Sequence, residues 1–462
     1  MKIVIAGSGK VGFTLAEHLS KESHDVTIVD TKFEAIKHAS EALDVMCIKG
    51  NGASSALLED AGAATADVVI AATGMDEINM ICGQVAKRLG AKYVIARIRN
   101  AEYANGLASL KKDLGIDLVI NPEYATATEI SRLLRFPSAA NIESFCRGRV
   151  ELVGFRLQAG DFVVGKTLAA LSHKLHDLDV LFCAVERGSE AFIPNGSSTL
   201  MEGDMVYVIG EPIGISNFFK QLGRYAPKVR DVFITGGGRI TYYLASMLNK
   251  LGMHTKIVEI DEARCRHLAE ALPRSLIIHG DGTDQELLEA EDLQANDAFV
   301  SLTGRDEYNL IIALYAMQQG VKKVVAKSNR QNYVGIARSV GLDSVVSPKS
   351  ITANHILQAV RGMQNSKGSV MTYLYKIAGD QAEAMEFVVD KGTRNLGVPL
   401  KDLKLKKGIL IAVVVHNNQI IIPEGSTKIE AGDTVIIVSR DSGILDIDDI
   451  YADSNAGGGN NT

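Results

Sequence analysis

The sequence has no tryptophan, only nine prolines in 462 residues, and no block of lysine and arginine long enough to track a phosphate backbone. With a formal charge of −6, the missing basic stripe excludes direct nucleic-acid binding. Long apolar runs are missing too. Ile409 to Val415 is among the longest, far below the roughly 18 residues that span a bilayer, so a role at a membrane has to come through a partner. The start carries no secretory leader pattern, because Lys2-Ile3-Val4-Ile5 reads as a strand running into a glycine loop. Cysteine is sparse: Cys47, Cys82, Cys146, Cys183 and Cys265 are isolated, odd in number, and never spaced Cys-x-x-Cys. That pattern excludes a zinc or dithiol site and reads as free thiols in a reducing compartment.

What is abundant is glycine, at 43 residues, and repetition. Ile3-Val4-Ile5-Ala6-Gly7-Ser8-Gly9-Lys10-Val11-Gly12 returns as Val232-Phe233-Ile234-Thr235-Gly236-Gly237-Gly238-Arg239-Ile240-Thr241. Gly50-Asn51-Gly52 returns as Gly280-Asp281-Gly282, and Thr73-Gly74-Met75-Asp76-Glu77-Ile78-Asn79 as Thr303-Gly304-Arg305-Asp306-Glu307-Tyr308-Asn309. Pro122, with a helical pattern ending at Arg135, matches Pro348 with one ending at Arg361. The register persists beyond these units, where Ile193-Pro194-Asn195-Gly196 and Asp204 recur as Ile422-Pro423-Glu424-Gly425 and Asp433. The chain therefore reads A-B-A′-B′.

Within each A unit, short Val/Ile/Ala runs such as Val26 to Val29 and Val68 to Ala72 alternate with helical patterns. Near-continuous apolar strands indicate a parallel sheet covered on both faces. The fold class expected is α/β: two Rossmann-like, doubly wound parallel-sheet domains, each followed by a small α+β lobe. The boundaries expected are 1–136, 147–226, 229–362 and 370–451, with a Gly/Asn-rich, disordered tail at 452–462. Linkers are expected near Pro137 to Arg149, Pro212 to Arg230 and Gly362 to Val370.

The first glycine loop follows an apolar strand, opens a helical pattern, and is answered by Asp30 at the end of the second strand. That context makes it a dinucleotide fingerprint. Gly7 permits the tight turn, Gly9 lets backbone approach a pyrophosphate, and Gly12 lets helix and strand pack closely. Ser8, Lys10 and Val11 complete the loop, with Lys10 in reach of phosphate. Free amides and the helix dipole favour the anion. Asp30 suits the adenosine ribose hydroxyls and repels a 2′-phosphate, which favours NAD(H) or an adenine nucleotide over NADP. A Walker A reading fails, since Val11 stands where Ser or Thr should hold magnesium.

The second loop keeps Gly236, Gly238 and a basic Arg239, but Thr241 replaces the third glycine and Glu259 replaces the acid. A weaker or differently selective site is expected there. Asn51, Gly52, Thr73, Asp76 and Arg97, with Asp281 and Thr303 in the second copy, are placed by the pattern at the carboxyl edge of the sheet, where such sheets bind ligands.

With these residues in place, and with Ala96-Arg97-Ile98-Arg99-Asn100 after the fifth strand, the chain resembles the TrkA family. These are the cytoplasmic regulatory subunits of Trk-type potassium uptake systems, built as tandem RCK domains. The resemblance covers the chain apart from its Gly/Asn tail. It implies N-lobes that bind NAD(H) or ATP/ADP, C-lobes that add contacts, and a homotetramer. It also implies a TrkH/TrkG-type membrane potassium transporter as partner, and a cytoplasmic chain held peripherally at the inner face of the membrane. By position it implies nucleotide contacts at Gly7, Gly9, Gly12, Asp30 and Asp76.

The competing reading is an NAD-dependent oxidoreductase. That chemistry needs a substrate lobe with an acid or base beside the nicotinamide. The B units are short, His173 and His176 lie on a helical pattern with no partner motif, and no Tyr-x-x-x-Lys or Cys-His pattern accompanies the loops. A non-catalytic sensor fits better.

Overall fold

The computed structural model describes residues 1–452 apart from 101–102, 104–112, 137–138, 189, 225–227, 365–368 and 441–442. The expected tail from Ala452 thus lies, beyond that residue, outside the described residues. The chain forms two compact units that group like with like. One holds Met1–Arg135 and Val229–Val360, the other Phe136–Lys228 and Arg361–Thr462.

In the first unit each A segment folds as a six-stranded parallel sheet. The first contains β1 (Lys2–Ala6), β2 (Asp25–Asp30), β3 (Met46–Lys49), β4 (Val68–Ala71), β5 (Tyr93–Arg97) and β6 (Leu118–Ile120), ordered β3-β2-β1-β4-β5-β6. Among the described residues its helices are α1 (Lys10–Lys21), α2 (Phe33–Ala42), α3 (Ser55–Asp60), α4 (Asp76–Leu89) and α5 (Pro122–Arg135). Strand order reverses between β1 and β4, the switch point where doubly wound sheets open a crevice. The strands lack polar alternation because both faces are covered: Ile3, Val4, Ile5, Val69 and Ile70 are buried. The second A segment repeats this order with strands Asp231–Thr235, His254–Glu259, Ser275–His279, Ala298–Ser301, Lys323–Lys327 and Val345–Val346.

The two sheets share a core. Ala127, Ile130 and Leu134 of α5 pack with Leu244 and Leu248, which lie on the helix Arg239–Lys250 of the second copy. The Tyr243 hydroxyl accepts from Asn121 Nδ2 at 3.0 Å and donates to the Arg99 carbonyl at 3.2 Å.

The second unit contains two five-stranded antiparallel sheets. One is formed by Asn141–Phe145, Val150–Arg156, Val180–Arg187, Glu190–Phe192 and Met205–Gly210, with helices Leu168–His176 and Pro212–Gln221. The other is formed by Val370–Ile377, Ala382–Val388, Ile409–His416, Gln419–Ile421 and Thr434–Ser439. Two expected linkers are corrected here. Asn141–Phe145 is a strand, hidden because its apolar residues Ile142 and Phe145 are separated by the polar pair Glu143 and Ser144. Pro212–Gln221 is a helix, with proline in its first turn and Ile215, Phe218 and Phe219 buried at helical spacing. The helix from Pro348 also runs past Arg361 to Gln364.

Candidate functional site

The first glycine loop turns between β1 and α1 as its spacing requires. Gly7 sits at φ +107, where any Cβ would meet the Ala72 carbonyl oxygen at 2.8 Å. A Cβ at Gly12 would lie 1.8 Å from the Gly7 carbonyl oxygen, so only glycine lets the helix start this close to the turn. Gly9 faces open space. It caps α1 without any side-chain hydrogen bond, and the first turn carries no acid, so unoccupied amides face the crevice. Ser8 and Val11 are buried in the turn and Lys10 is exposed.

Asp30 spans the mouth of the loop. Its Oδ2 accepts from the Ser8 amide at 2.6 Å and its Oδ1 from the Lys32 amide at 2.8 Å. Both oxygens are anchored by backbone, and each keeps a lone pair for a hydroxyl donor.

Across the crevice, the buried Asn79 fixes the loop after β4. Its Oδ1 accepts from the Thr73 amide at 2.8 Å and the Thr73 hydroxyl at 2.7 Å, and its Nδ2 donates to the Arg97 carbonyl at 2.8 Å. Asp76 has a structural task at the same edge. One oxygen accepts from the Arg99 and Asn100 amides, both at 2.8 Å, and the other from Arg99 Nε at 3.1 Å. The carboxylate ties the segment after β5 to the start of α4. Gly52 packs on β1, where a Cβ would meet the Ala6 Cβ at 2.8 Å, and Asn51 Oδ1 accepts from the Ala53 amide at 3.0 Å. Arg97 is drawn inward toward Glu123 of α5, with Nη2 at 3.9 Å from Oε1. Burial, offset in part by Glu123, holds its guanidinium below the usual range, and the charges of Arg99 and Arg239 push the same way.

The second loop encloses a cavity of about 980 Å³. Gly236 repeats Gly7 at φ +92, and Gly238 again faces open space. Thr241 is fully buried, its hydroxyl donating to the Gly236 carbonyl. Since the first copy has no room for a Cβ there, the second turn must hold its helix start further from that carbonyl. Glu259 keeps the anchoring pattern of Asp30, accepting from the Gly237 and Asp261 amides. Thr303 and Asn309 repeat the Thr73–Asn79 pair at 2.7 Å.

The lining also holds side chains that position alone did not single out. Arg264 donates to the Gly237 carbonyl at 3.1 Å, and Arg305 stacks 5.0 Å from the Tyr308 ring. Their first-copy counterparts, Ala35 and Met75, are uncharged. Arg239, Asp281 and Thr303 line the same cavity, as does Lys327, whose Nζ donates to the Thr303 carbonyl at 2.6 Å. Glu123 of the first copy lines it too. Among the described residues, no group of three or more His, Cys, Asp or Glu is placed to hold a metal ion, and no helix is long and apolar enough to cross a membrane.

The TrkA-N domain family matches residues 3–122 and 232–348, and the TrkA-C domain family residues 152–223 and 384–451. The Trk system potassium uptake protein TrkA homolog 2 of Methanosarcina mazei is 32% identical over 463 residues, covering 98% of this chain and 100% of its own. The Trk system potassium uptake protein TrkA of Haemophilus influenzae is 34% identical over 447 residues, covering 96% of each. Among solved structures, the GsuK channel shares the fold with a TM-score of 0.64 at 17% identity, covering 95% of this chain and 76% of the channel. The GsuK channel bound to NAD gives 0.62 at 18% identity, with the same coverage.

Proposed function

As the chain belongs to the TrkA family of Trk-system potassium uptake proteins, we propose that it is the nucleotide-sensing, non-catalytic regulatory subunit of a Trk-type transporter. In this reading the first N-lobe binds NAD(H) or an adenine nucleotide such as ATP or ADP. The diphosphate lies on the uncapped amides of α1, and the ribose hydroxyls on Asp30. The second N-lobe is a divergent site for a related nucleotide.

The observation that carries the reading is the first turn. Gly7, Gly9 and Gly12 bring bare backbone amides to the switch point, and Asp30 is held across it by the Ser8 and Lys32 amides. One structural neighbour was solved with NAD and another with ADP, which fits the ligand class.

A nucleotide that contacts two lobe arrangements unequally shifts their populations, and the shift is passed to a membrane-embedded, TrkH/TrkG-type potassium-translocating partner. The chain acts as a homotetramer on the cytoplasmic face of the membrane, held there by that partner. The test is affinity purification of the tagged chain from detergent-solubilised membranes of its own cells. A potassium-translocating membrane protein should co-purify in stoichiometric amount, and its absence under conditions that keep the chain folded would reject the reading.

A further inference from the structure

Glu123 belongs to the first lobe, at the start of α5, yet it lines the cavity of the second lobe beside Arg239. Its Oε1 makes only a loose ion pair, 3.9 Å from Nη2 of Arg97. Its Oε2 is buried and accepts no hydrogen bond from the described residues. Arg97 is in the same condition, with a buried Nε that donates to none of them. Arg97 ends β5 at the crevice of the first lobe, in the repeat position of Lys327, which lines the second cavity. The pair therefore stands between the two crevices, with neither member fully satisfied by the other. Arg239 is close enough for its charge to act on Arg97.

We propose that Arg97 and Glu123 couple the two nucleotide pockets of one chain with negative sign. An anion in the first pocket draws Arg97 away from Glu123. The released carboxylate, still facing the second cavity, then competes with that cavity's ligand for Arg239. By linkage, a ligand in the second pocket weakens the first by the same factor. The repeat position of Glu123 is Lys349, a cation that cannot pair with a strand-end base. The switch thus exists once in the chain and not as a symmetric pair. It rests on the reading that both pockets take nucleotides.

The experiment is calorimetric titration of the full chain with NADH and, separately, with ADP, in the parent, Asp30→Arg, Glu123→Gln and the double variant. Asp30→Arg empties the first pocket, so it reports the second pocket alone. We expect the second pocket to bind about fivefold or more tightly in Asp30→Arg than in the parent with its first pocket filled. In the Glu123→Gln background, where shape is kept and charge removed, that difference should vanish. Equal second-pocket affinity in the parent and Asp30→Arg, or a difference that survives Glu123→Gln, overturns the coupling while leaving nucleotide sensing intact. A second pocket that takes neither ligand in any variant also overturns it. Failure of both pockets in the parent refutes the sensing reading itself.

Discussion

The two Rossmann-like lobes share one sheet order and one loop-locking asparagine, and they differ in the glycine turn and in the side chains that line the crevice. Asn79 and Asn309 hold the loop after the fourth strand through the same bonds. The Gly7 and Gly236 turns have the same handedness. Against that constant frame, Gly12 has become Thr241, Asp30 has become Glu259, Ala35 has become Arg264 and Met75 has become Arg305. The difference teaches that the fold and the site answer to separate constraints. The lock on the loop after the fourth strand stays, whereas the packing of the helix start changes with Thr241 and the charged groups lining the crevice change with Glu259, Arg264 and Arg305.

The sharpest break in the comparison is Asp30→Arg against Glu259→Arg. Asp30→Arg should remove the first lobe's share of the thermal stabilisation given by NADH, about 2.7 kcal/mol at a hundredfold excess over that lobe's Kd, whereas Glu259→Arg should leave that share in place. Calorimetric melting with and without ligand reads both.

Next in size is Gly12→Thr. The second turn accommodates that side chain, but in the first a Cβ would strike the Gly7 carbonyl, so stability should fall by about 1–3 kcal/mol. Thr241→Gly should cost less, and urea midpoints measure the two.

A further effect is tied to pH. Lys323 is buried at the strand position held by Tyr93 in the first copy, and burial pushes its ammonium down to about 7. Its folded-state value lies below the unfolded one, so stability falls as pH drops from the ordinary lysine range toward 7 and levels off below. Lys323→Met should therefore be more stable than the parent at pH 6, with the gap closing toward pH 10. Denaturation at the two pH values checks this.

Smallest is the matched pair in the other unit. Arg187 holds the buried Asp204 through two bonds of 2.8 Å, while His416 holds Asp433 through one of 2.7 Å. The hydrogen bond to Asp433 raises the His416 value. Its stabilisation is present below the ordinary histidine range and lost as pH rises through the raised value. His416→Arg should flatten that pH dependence in melting curves between pH 6 and 9, and Arg187→His should introduce it.

The parallel sheets and the glycine turns were legible because they are local. An apolar strand running into Gly7-x-Gly9 and an acid closing the next strand encode their own geometry. The association of like lobes was not legible, because it depends on Ala127 and Ile130 meeting Leu244 and Leu248 more than a hundred residues away. The backbone contacts of Asp76 were not legible for a related reason, because its partners arrive from Arg99 and Asn100, 23 and 24 residues later. Glu123 was missed since it serves the neighbouring lobe's cavity. Pro212 with Ile215, Phe218 and Phe219 did carry a helical signal, which Pro212, Gly214 and Gly223 obscured as linker residues.

In the proposed function, nucleotide occupancy of the first lobe sets the activity of a potassium-translocating partner. Potassium flux into vesicles carrying the co-purified transporter tests it directly, with the chain added and NADH or ADP titrated. A nucleotide-dependent change in flux of several-fold is expected, and Asp30→Arg should abolish it. A flux indifferent to nucleotide, or one that responds equally well with Asp30→Arg, would contradict it.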